Sequence, residues 1–305
     1  MRITLGMLTN SIRSSLLSSA ENLMRSQQIA SSGKRITRPS DDVVGTGRSL
    51  SMRSALASID QYDRNSGVAS SELSIASSAL DSLISAVQEL RSVAVTAANA
   101  SLTDEARAAL AAKLDGLMTR VEQIANTQNA GRYIFAGSKC DTAPITWNAD
   151  HSTHDYVGDN SPLSIRVGPG TSICVGVSGE AVLNMGGASV PGVPDLFETI
   201  YNLKQEVSAG DVSAISARLA DIDANLQNVT SWDSQIGARL NQLDSNTSAL
   251  LDSKTSLSEL LSQVEDADLA DAVIQLQTRQ NIYQSAVATA NQILGMSLAN
   301  IWNNG

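Results

Sequence analysis

Aromatic side chains are scarce in this chain of 305 residues: three tryptophans, five tyrosines and two phenylalanines, 3% of the whole. So few large rings exclude a deep core filled by aromatic packing and leave Ala, Leu, Ile and Ser to do the work, which suits helix seams. Positive charge is also short, with 21 Lys and Arg against 31 Asp and Glu and a formal net charge of −10. A surface that neutralises phosphates needs clustered Lys and Arg, and no such run occurs, so no nucleic-acid partner is expected. Long apolar runs are missing too. Nothing approaches the roughly 18 consecutive apolar residues of a membrane span, and Met1 to Met7 contains no apolar core of a signal peptide. No membrane partner is expected, which leaves a cytosolic protein or one exported without a cleavable signal. The two cysteines, Cys140 and Cys174, are no disulfide framework. Two separate small buried thiols is the simpler reading, with a bridge left open in an oxidising setting.

Signs of catalysis are equally sparse. Neither standard Gly-rich phosphate loop nor a nucleophile elbow occurs. The cluster Asp150, His151, Ser152, Thr153, His154 and Asp155, with Asp159 nearby, has metal-binding side chains, but it is full of turn formers and reads better as a polar surface turn. The acidic stretch from Glu265 to Asp271 lacks the alternating pattern and central Gly of a calcium loop and reads as a solvated helix face. No catalytic, cofactor-binding or metal-ligating residue is therefore expected, and no cofactor.

What the chain does have is periodicity. Ile215, Leu219, Ile222, Leu226, Val229, Ile236, Leu240, Leu243, Leu250, Leu257, Leu261 and Val264 follow steps of four and three, with Asp233, Thr247 and Lys254 as polar rungs. Such a narrow stripe is stable in water only when another helix covers it. A matching ladder runs through Met52, Ala55, Ile59, Tyr62, Ser66, Ala69, Leu73, Ala76, Leu80, Leu83, Val87, Leu90, Ala94 and Ala97. Two helices of similar length, one from about 41 to 99 and the other from 212 to 264, most economically pack side by side and antiparallel. The Glu265 to Asp268 cluster then marks a slip of register. Beyond it a separate ladder takes in Leu269, Val273, Leu276, Gln280, Tyr283, Val287, Ala290, Leu294, Ser297 and Ile301.

Further helices complete the count. Residues 5 to 32 carry Leu5, Leu8, Ile12, Leu16, Leu23 and Ile29 at helical spacing, with Gly33 as a left-handed cap. Pro39 then enforces an extended run, and Ser40 is the expected N-cap of the next helix, with Asp41 and Asp42 in its first turn. Thr103 should start a third helix reaching about Asn129, with Leu110, Leu114, Leu117, Val121 and Ile124 on its inner face. Between residues 131 and 194 Gly, Pro, Asp and Asn punctuate short β-prone runs at 133–135, 164–167 and 172–175. Pro194, Asp195 and Glu198 form a capping box for a helix over 196–207.

Several motifs in order give these elements a familiar setting. Ser31-Ser32-Gly33-Lys34-Arg35-Ile36 followed by Pro39-Ser40-Asp41-Asp42, then Gly131-Arg132-Tyr133-Ile134-Phe135-Ala136-Gly137, then Val264-Glu265-Asp266-Ala267-Asp268-Leu269-Ala270 together resemble the bacterial flagellin family, most closely its hook-associated members at the hook-filament junction. The resemblance implies a mainly α, flagellin-like fold: a long antiparallel coiled-coil rod or bundle with a small β-rich insertion. Five stretches follow: a terminal assembly helix and elbow (1–40), a helical rod (41–130), the insertion (131–194), a second rod (195–264) and a C-terminal assembly helix (265–305). It implies a non-enzymatic subunit exported to the extracellular flagellum, assembling with copies of itself into a helical array. Its expected partners are a neighbouring hook-associated protein, flagellin and an export chaperone.

The terminal helices carry thin seams, so they are expected to be disordered in the monomer and to fold on meeting neighbours. The assembly contacts should be Leu5, Leu8, Ile12, Leu16, Leu23, Leu269, Val273, Leu276, Tyr283, Val287 and Leu294. Ser32, Gly33, Lys34, Arg35, Ile36, Pro39, Ser40, Asp41 and Asp42 should form a rigid elbow. The alternatives are a flagellin of the filament itself and, further off, a cytosolic coiled-coil adaptor or signalling protein.

Overall fold

A computed structural model describes residues 5–99, 102–147, 154–161, 163–185 and 192–303. The chain is mainly α-helical: α1 (Leu5–Ser32), α2 (Val43–Asn99), α3 (Asp104–Ala125), α4 (Gly179–Leu183), α5 (Leu196–Ala209), α6 (Val212–Glu265) and α7 (Leu269–Asn303). Among the described residues, six short strands lie between α3 and α4: β1 (Gln128–Asn129), β2 (Arg132–Tyr133), β3 (Ile145–Trp147), β4 (His154–Tyr156), β5 (Ser164–Gly168) and β6 (Thr171–Cys174). The chain divides into two compact units, one made of Met1–Ser58 with Ser253–Gly305, the other of Ile59–Asp252.

The second unit holds the main core, and its seams keep a strict seven-residue spacing. On α6 the buried column is Ile215, Ile222, Val229, Ile236, Leu243 and Leu250. On α2 two such columns face it, Ile59, Ser66, Leu73, Leu80, Val87 and Ala94 beside Ala69, Ala76, Leu83, Leu90 and Ala97. That spacing keeps one face of each helix turned to the other, as a coiled-coil seam requires. The helices are antiparallel, because Arg91 pairs with Asp223 at 2.6 Å while Ser77 bonds Asp233 at 2.9 Å. A third buried column on α2, Ala79, Ala86 and Val93, appears where α3 lies against it, with Lys113 and Arg120 both reaching Glu89. Lys204 of α5 pairs with Asp115 of α3 at 2.6 Å.

Local signals placed the starts of α3 and α5 well. Thr103 caps α3, and Asp195 caps α5 by accepting from the amides of Phe197 and Glu198. The third helix stops at Ala125 and not near Asn129, because the chain turns into β1 and β2 through Ala130 (φ 49°) and Gly131 (φ 82°). Two successive positive φ values make the tight reversal that a two-residue hairpin needs. Only Tyr133 of the β-prone 133–135 run is therefore in a strand. The described strands form three separate two-stranded antiparallel ribbons. One of them, β5 with β6, is strapped to both long helices: Asn65 donates to Arg166 O at 2.7 Å and Asn246 to Val167 O at 2.8 Å. Cys140 and Cys174 are half-buried free thiols, Cys140 accepting from Arg132 Nε at 3.1 Å.

Candidate assembly site

The first unit is poor in core. Among its described residues the buried side chains are Ile36, Ser49, Glu265, Ala272 and Ala290, so Ile36, still 8% exposed, is the one large apolar group among them. With so little apolar burial, polar contacts must fix its geometry. They converge on the point where the chain passes out of α1 and the point where α6 gives way to α7.

Gly33 ends α1 with φ 68° and bonds Ile29 O at 2.9 Å, the left-handed cap that its lack of a Cβ allows. The next residues run alongside the α6–α7 break. Arg35 N–H donates to Glu265 O at 2.7 Å, Ala267 N–H donates to Gly33 O at 2.9 Å, and Arg35 Nη2 reaches Val264 O at 2.8 Å. Lys34 and Asp266 form an antiparallel bridge. The Glu265 side chain is the hub: it accepts from Arg53 Nε at 2.8 Å and Nη2 at 2.5 Å, and from Lys34 Nζ at 3.0 Å. One carboxylate thus ties together the elbow, the start of α2 and the end of α6. The Arg53 hydrogen bonds, opposed by burial and helped by Lys34 and Ser49, pull its carboxyl from 4.5 down to about 2.

At Glu265 alone this corrects the reading of the acidic stretch as a solvated face; Asp266, Asp268 and Asp271 are exposed. Glu265 is 5% exposed. Sequence reasoning missed it because its partners lie 231 and 212 residues away. Nor is the cluster a mere slip of register. The helix ends at Glu265 and restarts at Leu269, where Asp268 accepts from the amides of Ala270 and Asp271.

The elbow is knotted by two aspartates. Asp41 Oδ2 accepts from the Thr37 amide and hydroxyl, each at 3.1 Å, and from the Arg38 amide at 2.9 Å, and its other oxygen pairs with Arg25 of α1 at 2.8 Å. These bonds, the Arg38 amide foremost, hold its pKa below the usual carboxylate value. Asp42, not Ser40, caps α2, accepting from Gly45 N–H at 2.8 Å. The extra turn that Asp41 closes moves the helix start two residues onward. Gly45 sits against Ile36, where a Cβ would lie 2.6 Å from Ile36 Cδ1 and 2.5 Å from Asp42 Oδ2.

Helices α1 and α7 lie together in this unit. Along α7 the inward face is Ala272, Leu276, Tyr283, Ala286, Val287 and Ala290, while along α1 Ile12, Leu16 and Leu23 are half-buried. Leu269 and Val273, expected on the same seam, are 56% and 53% exposed. The restart at Leu269 turns the helix so that Ala272 takes the inner position. The side chains of Leu5, Leu8 and Leu294 lie outside the described residues. An outer apolar surface was not foreseen: Met7, Leu17 and Met24 on α1, Val43, Val44 and Leu50 on α2, and Ile274 and Ile282 on α7 are all exposed.

Among the described residues, no group of three His, Cys, Asp or Glu could hold a metal ion. His154 instead meets Asp195 at 3.0 Å and tilts against Phe197, and Asp159 is taken up by Ser138. Asp150, His151, Ser152 and Thr153 lie outside the described residues.

The helical halves match known families. Residues 3–140 match the bacterial flagellin N-terminal helical region and residues 219–300 the flagellin C-terminal helical region. The chain belongs to the bacterial flagellin family. It is thus a structural protein of the flagellum. This flagellin-family chain is 27% identical to flagellar hook-associated protein 3 of Salmonella typhimurium over 98% of both chains. It is also 27% identical to flagellar hook-associated protein 3 of Escherichia coli, over 92% of this chain and 93% of that one. Its fold is similar to that of a hook-associated protein of Vibrio parahaemolyticus, with a TM-score of 0.67 over 74% of this chain and all of the other, at 24% identity.

Proposed function

We propose that this chain is a non-catalytic hook-associated subunit that joins the hook to the filament outside the cell. The observation that carries the reading is the end-to-end similarity to hook-associated protein 3, which spans both helical halves and the insertion together. Before export a chaperone shields the terminal helices. The subunits then assemble with their own copies in a helical array, flanked by another hook-associated protein on one side and flagellin on the other.

The poor core of the first unit supports this role. No described side chain of α1 is fully buried, and on α7 only Ala272 and Ala290 are, so both helices gain most of their burial from neighbours. Leu276, Tyr283 and Val287 serve the pairing within one chain. Contacts between copies fall instead to the exposed residues, Val273 and Ile274 among them.

Deletion of the gene tests the reading. A junction subunit leaves hooks intact while filament subunits are shed into the medium, and the protein itself is present as a thin collar. A flagellin instead leaves no filament protein to shed. Val273→Asp with Ile274→Asp then tests the surface: the secreted monomer should fold as wild type and fail to hold filaments. Normal attachment by that variant would remove α7 from the interface.

A further inference from the structure

The first unit carries two exposed features, made of different residues, that complement each other. One is a groove of about 530 Å³ between α1 and the elbow, floored by Leu17, Ala20 and Met24 and edged by Glu21, Arg38 and the mutually paired Arg25 and Asp41. Leu17 and Met24 stand 60% and 62% exposed and seven residues apart, so they lie on one stripe of α1 with Glu21 between them. The other feature is the start of α2. Val43, Gly47 and Leu50 share a stripe by their spacing, Val44 and Arg48 flank it, and the three apolar side chains are 67–75% exposed. A Cβ on Gly47 would meet nothing within 4 Å, so another helix can approach closely there. Neither Glu21 nor Arg48 has an ion-pair partner among the described residues.

We infer that the α2 stripe of one copy docks in the α1–elbow groove of a second copy, with Arg48 of one beside Glu21 of the other. Charge complementarity chooses the occupant. Along α1 Glu21 stands between Leu17 and Met24, and on α2 Arg48 stands one turn beyond Val44 at the flank of the Val43, Gly47 and Leu50 stripe. Because donor and acceptor are different sets of residues, the contact is heterologous and can run head-to-tail from copy to copy. This deepens the junction-subunit reading and rests on it.

Charge exchange is the test. In a strain lacking the gene, Glu21→Arg and Arg48→Glu are supplied singly and together, with filament attachment and the amount of secreted subunit both scored. Each single change should cut attachment about tenfold, since it sets like charges together, and the double exchange should restore it. A second measurement uses Met24→Cys with Val44→Cys in a chain whose Cys140 and Cys174 are replaced by Ser. Oxidation should give a ladder of cross-linked copies in assembled structures and none in secreted monomer. Single variants with normal attachment, or a double exchange no better than the singles in a chain secreted at wild-type levels, would overturn the contact. If the deletion strain itself keeps its filaments, the junction reading falls first.

Discussion

Replacing Glu265 by Gln keeps the shape of the side chain and removes the charge that Arg53 and Lys34 share. The whole displacement of its pKa from 4.5 to about 2 would be worth roughly 3 kcal/mol at about 1.4 kcal/mol per decade. That is a ceiling, because the Arg53 and Lys34 side chains are 50% and 41% exposed, and solvent screening leaves about 1–2 kcal/mol. The loss should fall on the first unit alone. Amide exchange read over 29–53 and 260–272 should speed up by about five- to thirtyfold, while exchange in the second unit over 73–97 stays unchanged.

The pH dependence follows from the sign. The folded-state pKa is depressed, so the stabilisation is fully present above about 4.5 and is lost as pH falls towards about 2. After correction for intrinsic exchange, the wild type should lose protection across that window, and the Gln variant should lose less, its remaining step coming from Asp41 and Asp42, whose carboxyls are also depressed. Equal acceleration in both units, or exchange within twofold of wild type over 29–53, would refute the assignment of Glu265 as the clasp.

Three further substitutions probe other points. Gly45→Ala places a methyl 2.6 Å from Ile36 Cδ1 and should lower the stability of the first unit by about 1–3 kcal/mol, read from exchange at Ile36 and Thr37. Ala130→Gly relieves a left-handed alanine and should raise the melting temperature of the second unit, by about 1 kcal/mol in stability, in a calorimetric scan. Ser66→Ala removes a buried hydroxyl without a hydrogen-bond partner from the α2–α6 seam and should stabilise the second unit by about 1 kcal/mol in urea denaturation, against the loss usual for a core change.

Both long helices, their seams and most caps were legible because the signals are local. A heptad column such as Ile215, Ile222 and Val229, or an Asp195 three residues before Glu198, states its conformation within one or two turns of chain. The flagellin-type motifs were legible for the same reason, as fixed residues near 31–42, 131–137 and 264–270. What the sequence by itself determined is therefore the helical class, the antiparallel pairing that two matched stripes demand, and the family. Tertiary structure alone decided the rest. It buried Glu265, which reads as one more surface acid until Lys34 and Arg53 arrive from far along the chain. It moved the α2 cap from Ser40 to Asp42, because Asp41 was engaged in closing the elbow. It also turned Val273 outward and Ala272 inward, since the start of α7 is set by the strand-like bridge of Lys34 with Asp266. Periodicity fixes which residues share a face. Only the partner that arrives across the fold determines whether that face meets water, its own chain or another copy.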